Sequence, residues 1–201
     1  MARSFAVHIN MNVYSCKKPM MHHQQRNFST TNGNILGGTK MCPKARETFD
    51  VWHETVSSMA GGGHDESKSM NEAKLRERFH NDVKFYPPTY WSEWKGADET
   101  LVLLKCVSEV FGDSFKYDRQ WLSDDGRDWC LEFEAEIDGD ENKKSTVQGV
   151  DLVKLDADGK IVEFRVLARP PNAVNMLKKN MMTKVAVPLA KLKAKKAFGF
   201  N

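Results

Sequence analysis

The chain has 201 residues, 40% of them apolar, and a formal net charge of +3. This is enough for one domain with a real core plus extensions, and the composition excludes a fibrous or wholly disordered chain. The small net charge hides a segregation: residues 1–46 carry seven Lys/Arg and no acid, residues 47–163 carry 14 Lys/Arg against 27 Asp/Glu, and nine Lys/Arg with no acid follow Glu163. A basic end can touch nucleic acid or anionic lipid. The C-terminal lysines, however, have no interleaved aromatics on which bases could stack, so nucleic acid is not an expected partner. Cys16, Cys42, Cys106 and Cys130 are scattered, with no Cys-x-x-Cys and no Cys–His pair at metal-ligand spacing, so neither a metal nor another cofactor is expected. A reducing compartment fits free cysteines in apolar segments. No apolar stretch approaches the length of a membrane span.

Residues 1–40 are basic, acid-free and rich in Ser, Asn, Gln and Met, with little periodicity. That composition is expected of a targeting segment or tail rather than of a fold element. Arg26-Asn27-Phe28-Ser29 has the form of a mitochondrial processing site, with cleavage after Phe28. A mitochondrial address is the first expectation, and a plastid address or a cytoplasmic tail the alternatives. Residues 44–184 are expected to form the domain, and 185–201 a basic C-terminal tail.

A first helix opens at Pro43-Lys44-Ala45-Arg46, and Phe49, Trp52, Val56 and Met59 recur on one face of it. Gly61-Gly62-Gly63 ends it. A second helix, capped by Ser69 or Asn71, is expected to carry Leu75, Phe79 and Val83 at steps of four. Phe85-Tyr86-Pro87-Pro88-Thr89-Tyr90-Trp91 is extended, because a residue before proline avoids the helical region. A third helix starts at Gly96-Ala97-Asp98-Glu99, with Asp98 as its expected cap and Leu101, Leu104, Val107, Val110 and Phe111 as its buried face.

From Phe115 the period becomes two. Strands are expected over Phe115–Leu122, Asp128–Ile137, Ser145–Leu155 and Lys160–Ala168, with Trp129, Leu131, Phe133 and Ala135 on one face of the second. The last pair, Gly149 to Ala168, reads as a hairpin turned at Asp156-Ala157-Asp158-Gly159. Pro170-Pro171 ends the sheet, and Asn172 can cap a final helix with Val174, Leu177 and Met181 on one face. Inside the hairpin Asp151 stands where an apolar residue belongs. A carboxylate there needs water or a polar partner.

Two segments carry a resemblance. Phe79-His80-Asn81-Asp82-Val83-Lys84-Phe85-Tyr86-Pro87-Pro88, with the Trp-rich stretch and Gly96 after it, resembles the second helix, following strand and pre-helix glycine of the nuclear-transport-factor-2-like superfamily, in its SnoaL-like branch. Gly149 to Pro170 resembles the last two strands of that fold. The resemblance implies an α+β cone: three N-terminal helices packed on a curved antiparallel sheet of four or more strands, a C-terminal helix, and a pocket in the mouth. It also implies a homodimer through the open sheet face. The superfamily hosts isomerases, cyclases, hydratases, epoxide hydrolases, binding modules and scaffolds, so the fold does not fix the activity.

Asp151 matches the place where ketosteroid isomerases of the superfamily keep an oxyanion-binding Asp and a SnoaL-like cyclase its acid/base. The isomerase's carboxylate base falls on Pro87, and its first-helix Tyr on Trp52. The hydrolase branch's Asp-Arg-Asp set would need Asp151 with an Arg, for which Arg165 and Arg119 are candidates by composition. The expected site is therefore Asp151 as tentative acid/base in a pocket for a small apolar molecule. Its walls are expected from Trp52, Tyr86, Tyr90, Trp91, Trp129, Phe133, Val166 and Ala168. Three functions follow: an apolar-ligand binder, an isomerase, cyclase or hydratase using Asp151, or a non-catalytic scaffold subunit of an organellar assembly. His53 and His80 are each expected on a helix; His80 has only the cationic Arg76 and Lys84 at steps of four, which disfavours a metal, and His53 reads as a pocket histidine or an exposed helical one.

Overall fold

The structure, a computed structural model, describes residues 41–60, 66–139 and 143–199. The expected targeting segment, residues 1–40, lies outside them. The elements in chain order are α1 (Pro43–Ala60), α2 (Glu66–Arg78), β1 (Phe79–Tyr86), β2 (Trp94–Lys95), α3 (Ala97–Phe111), β3 (Lys116–Leu122), β4 (Asp128–Asp138), β5 (Lys144–Leu155), β6 (Ile161–Arg169) and α4 (Pro171–Ala197). The sheet order is β2-β1-β6-β5-β4-β3. The fold is α+β, with helices against one face of a curled sheet.

Several expectations are corrected. Only two helices precede the first strand, because Phe79 and Val83 belong to β1 and not to α2. Their step-of-four spacing from Leu75 suits a helix, but Val83 and Phe85 alternate with exposed residues and are buried as a strand buries them. The sheet is mixed rather than antiparallel, because β1 runs parallel to β6, pairing Phe85 with Phe164. Asp98 does not cap α3. Gly96, at φ +109°, starts that helix, and its N–H donates to the Val83 carbonyl at 2.9 Å. The Asp98 carboxylate instead accepts from Arg76 on α2 and pairs with Lys196 on α4 at 3.4 Å. Likewise α2 begins at Glu66, ahead of Ser69 and Asn71, and α4 begins at Pro171 with Pro170 before it.

The expected tail from residue 185 is the second half of α4, which runs on to Ala197. Leu189 is buried there and Val185 packs on the same core. Pro188 interrupts the helical ladder, since it has no N–H for the Lys184 carbonyl four residues back. That carbonyl accepts instead from the Cys106 thiol of α3 at 3.6 Å. Burial of the thiol raises the Cys106 pKa.

The hairpin forms with its turn at the expected place. Asp151 lies across from Val166 on β6 and from Leu131 on β4. Gly159 N–H donates to Asp156 O at 3.1 Å with φ +75°. The turn is fastened to α1 by Thr48, whose hydroxyl donates to Gly159 O at 2.6 Å. The core lies between this sheet and α1 and α3. Trp52, Leu131, Ile161 and Phe164 are among its most deeply buried side chains.

Candidate functional site

Alternation along β5 turns Val147, Asp151, Val153 and Leu155 inward. The central position of β5 in the sheet then holds Asp151 at the inner end of the cone. Tyr117 reaches it from β3, its hydroxyl donating to Asp151 Oδ2 at 2.6 Å. Trp52 on α1 completes the chain of donors: its indole N–H donates to the Tyr117 oxygen at 3.1 Å. Oδ1 of Asp151 has no hydrogen-bond partner among the described residues.

Burial dominates the chemistry of this chain. It pushes the Asp151 carboxyl up from 3.8 to about 7, against the hydrogen bond from Tyr117, which pulls the other way. The phenol of Tyr117 is raised well above its ordinary range, first by burial, then by the Asp151 charge and the hydrogen bond to it. Tyr117 therefore keeps its proton and remains a donor, while Asp151 is poised between acid and carboxylate near neutral pH.

Asp151, Tyr117 and Trp52 line a cavity of about 380 Å³. Most of the rest of its wall is apolar: Val56 and Met59 from α1, Leu103, Leu104 and Val107 from α3, and Phe133 and Val166 from the sheet. Leu177, Met181 and Val185 of α4 close the far side. Asp151 is the one carboxylate and Lys178 the one cation among the described lining residues. The cavity opens where its lining becomes exposed, between Pro87–Tyr90 and the Met182 flank of α4. Lys178 Nζ sits 5.1 Å from the Tyr90 ring centroid and bridges the two lips.

No family model matches the chain, and no curated protein matches it in sequence. Solved structures do. An uncharacterised bacterial protein with a cystatin-like fold, from Silicibacter pomeroyi DSS-3, is 30% identical over 75% of this chain and 93% of that one, with a TM-score of 0.59. A steroid delta-isomerase from Pseudomonas aeruginosa is 29% identical over 75% of this chain and 98% of its own, with a TM-score of 0.62. The chain belongs to the nuclear-transport-factor-2-like, SnoaL-like superfamily. A superfamily member more distant in sequence, named as a SnoaL-like polyketide cyclase from Jannaschia sp. CCS1, shares the fold at 13% identity and a TM-score of 0.51, over 70% of this chain and 97% of that one.

Against the superfamily pattern, the structure brings together Asp151, Trp52, Tyr90, Phe133 and Val166 at the cavity. Pro87, on which the resemblance puts the isomerase's base, also lines it. Four expected wall residues lie elsewhere. Trp91 is fully exposed. Trp129 is buried beyond the cavity, its indole N–H donating to Gly126 O at 2.6 Å. Tyr86 lies under the Arg165 guanidinium at 4.3 Å. Ala168 packs among Phe133 and its neighbours without reaching the cavity. Arg165 pairs with Glu163 and Arg119 with Glu132, so neither joins Asp151 in a hydrolase-like set. His53 lies outside the lining, its ring 4.3 Å from Phe49 and 5.5 Å from Tyr117. Burial lowers its pKa.

Sequence reasoning missed Tyr117. It meets the ring of Phe115, the residue just before β3, edge-on at 5.0 Å. Alternation could have turned it inward, but its meeting with Asp151 spans β4 and depends on sheet order.

Proposed function

We propose that this chain is a pocket protein that holds a small apolar molecule in the cone, with Asp151 as the polar contact at the inner end. The observation that carries this is the cavity itself. A space of about 380 Å³ with apolar walls and one convergent polar cluster has the size and character of a ligand site. A docking scaffold would be better served by a filled cone, so the cavity favours a pocket function over the scaffold reading. Native mass spectrometry of the protein from its own source is expected to show a bound small apolar mass. Val166→Trp, which fills the cavity, should lose it. A chain that carries no such mass and takes up no neutral apolar dye would overturn the proposal.

The condition of Asp151 favours a second reading, an isomerase, cyclase or hydratase-type enzyme in which Asp151 moves a proton. An acid with a pKa of about 7 can take a proton from one atom of a substrate and return it to another at neutral pH. Tyr117 holds Oδ2, which leaves Oδ1 as the working atom. Trp52 orients Tyr117. The likeness to a steroid delta-isomerase supports this reading. Pro87 at the base position means that Asp151 alone would carry the transfer. In that case Asp151→Asn abolishes turnover while dye binding survives.

The expected homodimer belongs to this proposal. The outer sheet face, where Trp121 and Leu167 are about half exposed, is its assigned surface. So does the mitochondrial address in residues 1–40, for which a mature N-terminus at Ser29 is the expected readout.

A further inference from the structure

The lips of the cavity expose aromatic and apolar side chains beside lysines. Trp91 is 100% exposed, Tyr90 46% and Met182 61%. The Lys178–Tyr90 contact holds the loop that carries both aromatic residues against α4. Helical spacing puts Lys178, Met182, Ala186 and Lys193 on one flank of α4. That helix, Pro171–Ala197, holds seven lysines and no acid. Lys184 and Lys196 are engaged by Glu109 and by Glu99 with Asp98. Glu93, the acid nearest Trp91 in the chain, is paired with Lys95 at 3.4 Å. Residues 47–163, by contrast, carry 14 Lys/Arg against 27 Asp/Glu.

From this we infer that the cavity mouth docks on an anionic lipid surface, with Trp91 and Met182 entering the interface and Lys178 and Lys193 facing the headgroups. Exposed aromatic and apolar side chains beside lysines are the chemistry of interfacial binding. The acidic body would be repelled by the same surface, so the charge asymmetry turns the mouth toward the lipid. A second copy of this chain is the poorer occupant. A twofold contact through this patch would set the α4 lysines of one protomer against those of the other. The inference goes beyond the pocket reading and does not need Asp151 to act in any way.

The test is flotation of the full chain with vesicles of phosphatidylcholine alone or of equal parts phosphatidylcholine and phosphatidylglycerol. The wild type is expected on the anionic vesicles only, with binding weakened by added salt. Trp91→Ala and, separately, Lys178→Gln with Lys193→Gln should each reduce that binding by about fivefold or more. Trp91→Ala should leave uptake of a neutral dye by the cavity in solution unchanged, since Trp91 does not line it. Binding unaffected by Trp91→Ala would overturn the inference and assign the attraction to the basic residues 1–46. No binding to anionic vesicles would overturn it outright. A concentration-dependent dimer that Trp91→Ala dissolves would replace the lipid with a second copy.

Discussion

The inner end of the cavity and its mouth are built on opposite principles. At the inner end, Asp151, Tyr117 and Trp52 come from β5, β3 and α1, and they are held by two hydrogen bonds of 2.6 and 3.1 Å. Trp52 is 1% exposed and its ring meets Phe164 edge-on at 5.2 Å. At the mouth, a Pro-rich loop faces a helix across one cation–π contact, and Trp91 touches solvent on all sides. Sheet register and burial fix the first region. The second is held by far less. Polar groups sit where sheet register and packing hold them still, and apolar groups are exposed at the mouth.

The two tryptophans give the largest test of this contrast. Trp52→Ala removes a buried ring and leaves Tyr117 without its donor. It is expected to cost about 3–5 kcal/mol in chemical denaturation, as large-to-small core changes do. Trp91→Ala should stay within about 0.5 kcal/mol of wild type. Comparable losses at both sites would break the distinction.

The next effect is a pH dependence. Asp151 has a folded pKa of about 7, above its ordinary 3.8, so the native state binds the extra proton between those values. The stability tied to this proton is fully present below about pH 4 and is lost as pH rises through about 7. The full shift corresponds to at most about 4 kcal/mol. Asp151→Asn does not titrate, so thermal midpoints measured from pH 5 to 8 should fall more steeply in the wild type than in the variant. Parallel curves would mean that Asp151 is ionised throughout.

Tyr117→Phe should cost about 1–3 kcal/mol by stranding Trp52 and Asp151. It should also raise the Asp151 pKa further, because the Tyr117 hydrogen bond is what holds it down. Carboxyl carbon shifts of Asp151 followed through a pH titration would read that change. Gly149→Ala tests the wall between the two regions. A Cβ at Gly149 would overlap the Leu167 carbonyl and lie 2.6 Å from Phe133 Cζ. The backbone cannot give way, so the Phe133 ring would be pushed from its place on the cavity wall. The expected loss is about 1–3 kcal/mol, with altered dye affinity.

The four consecutive strands from Lys116 to Arg169 were readable because their alternation is long, and their turns are marked by Asp-Gly or Ser-Asp-Asp-Gly chemistry. The change from α2 to β1 was not. It falls between Arg78 and Phe79 with no glycine or proline, and Leu75, Phe79 and Val83 satisfy a helical stripe until pairing with β6 decides. The end of α4 was hidden for a similar reason. The run of lysines read as a tail, yet the burial of Leu189 and the Lys196 pairs with α3 keep the helix going. At the site, Asp151 announced itself as a lone acid among Val and Leu. Trp91 and Tyr86 were drawn into the expected wall by composition, whereas a loop or strand face decides by direction which aromatic ring points inward.

The central claim is that a titrating Asp151 faces an apolar cavity, and binding of a neutral apolar dye such as Nile red across pH 5 to 9 tests it most directly. A ligand that dries the cavity further disfavours the carboxylate, so wild-type affinity should fall as pH rises through about 7. Asp151→Asn should bind with an affinity that does not change over that range. Saturable binding with the same pH profile in both proteins, or no saturable binding in either, would contradict the account.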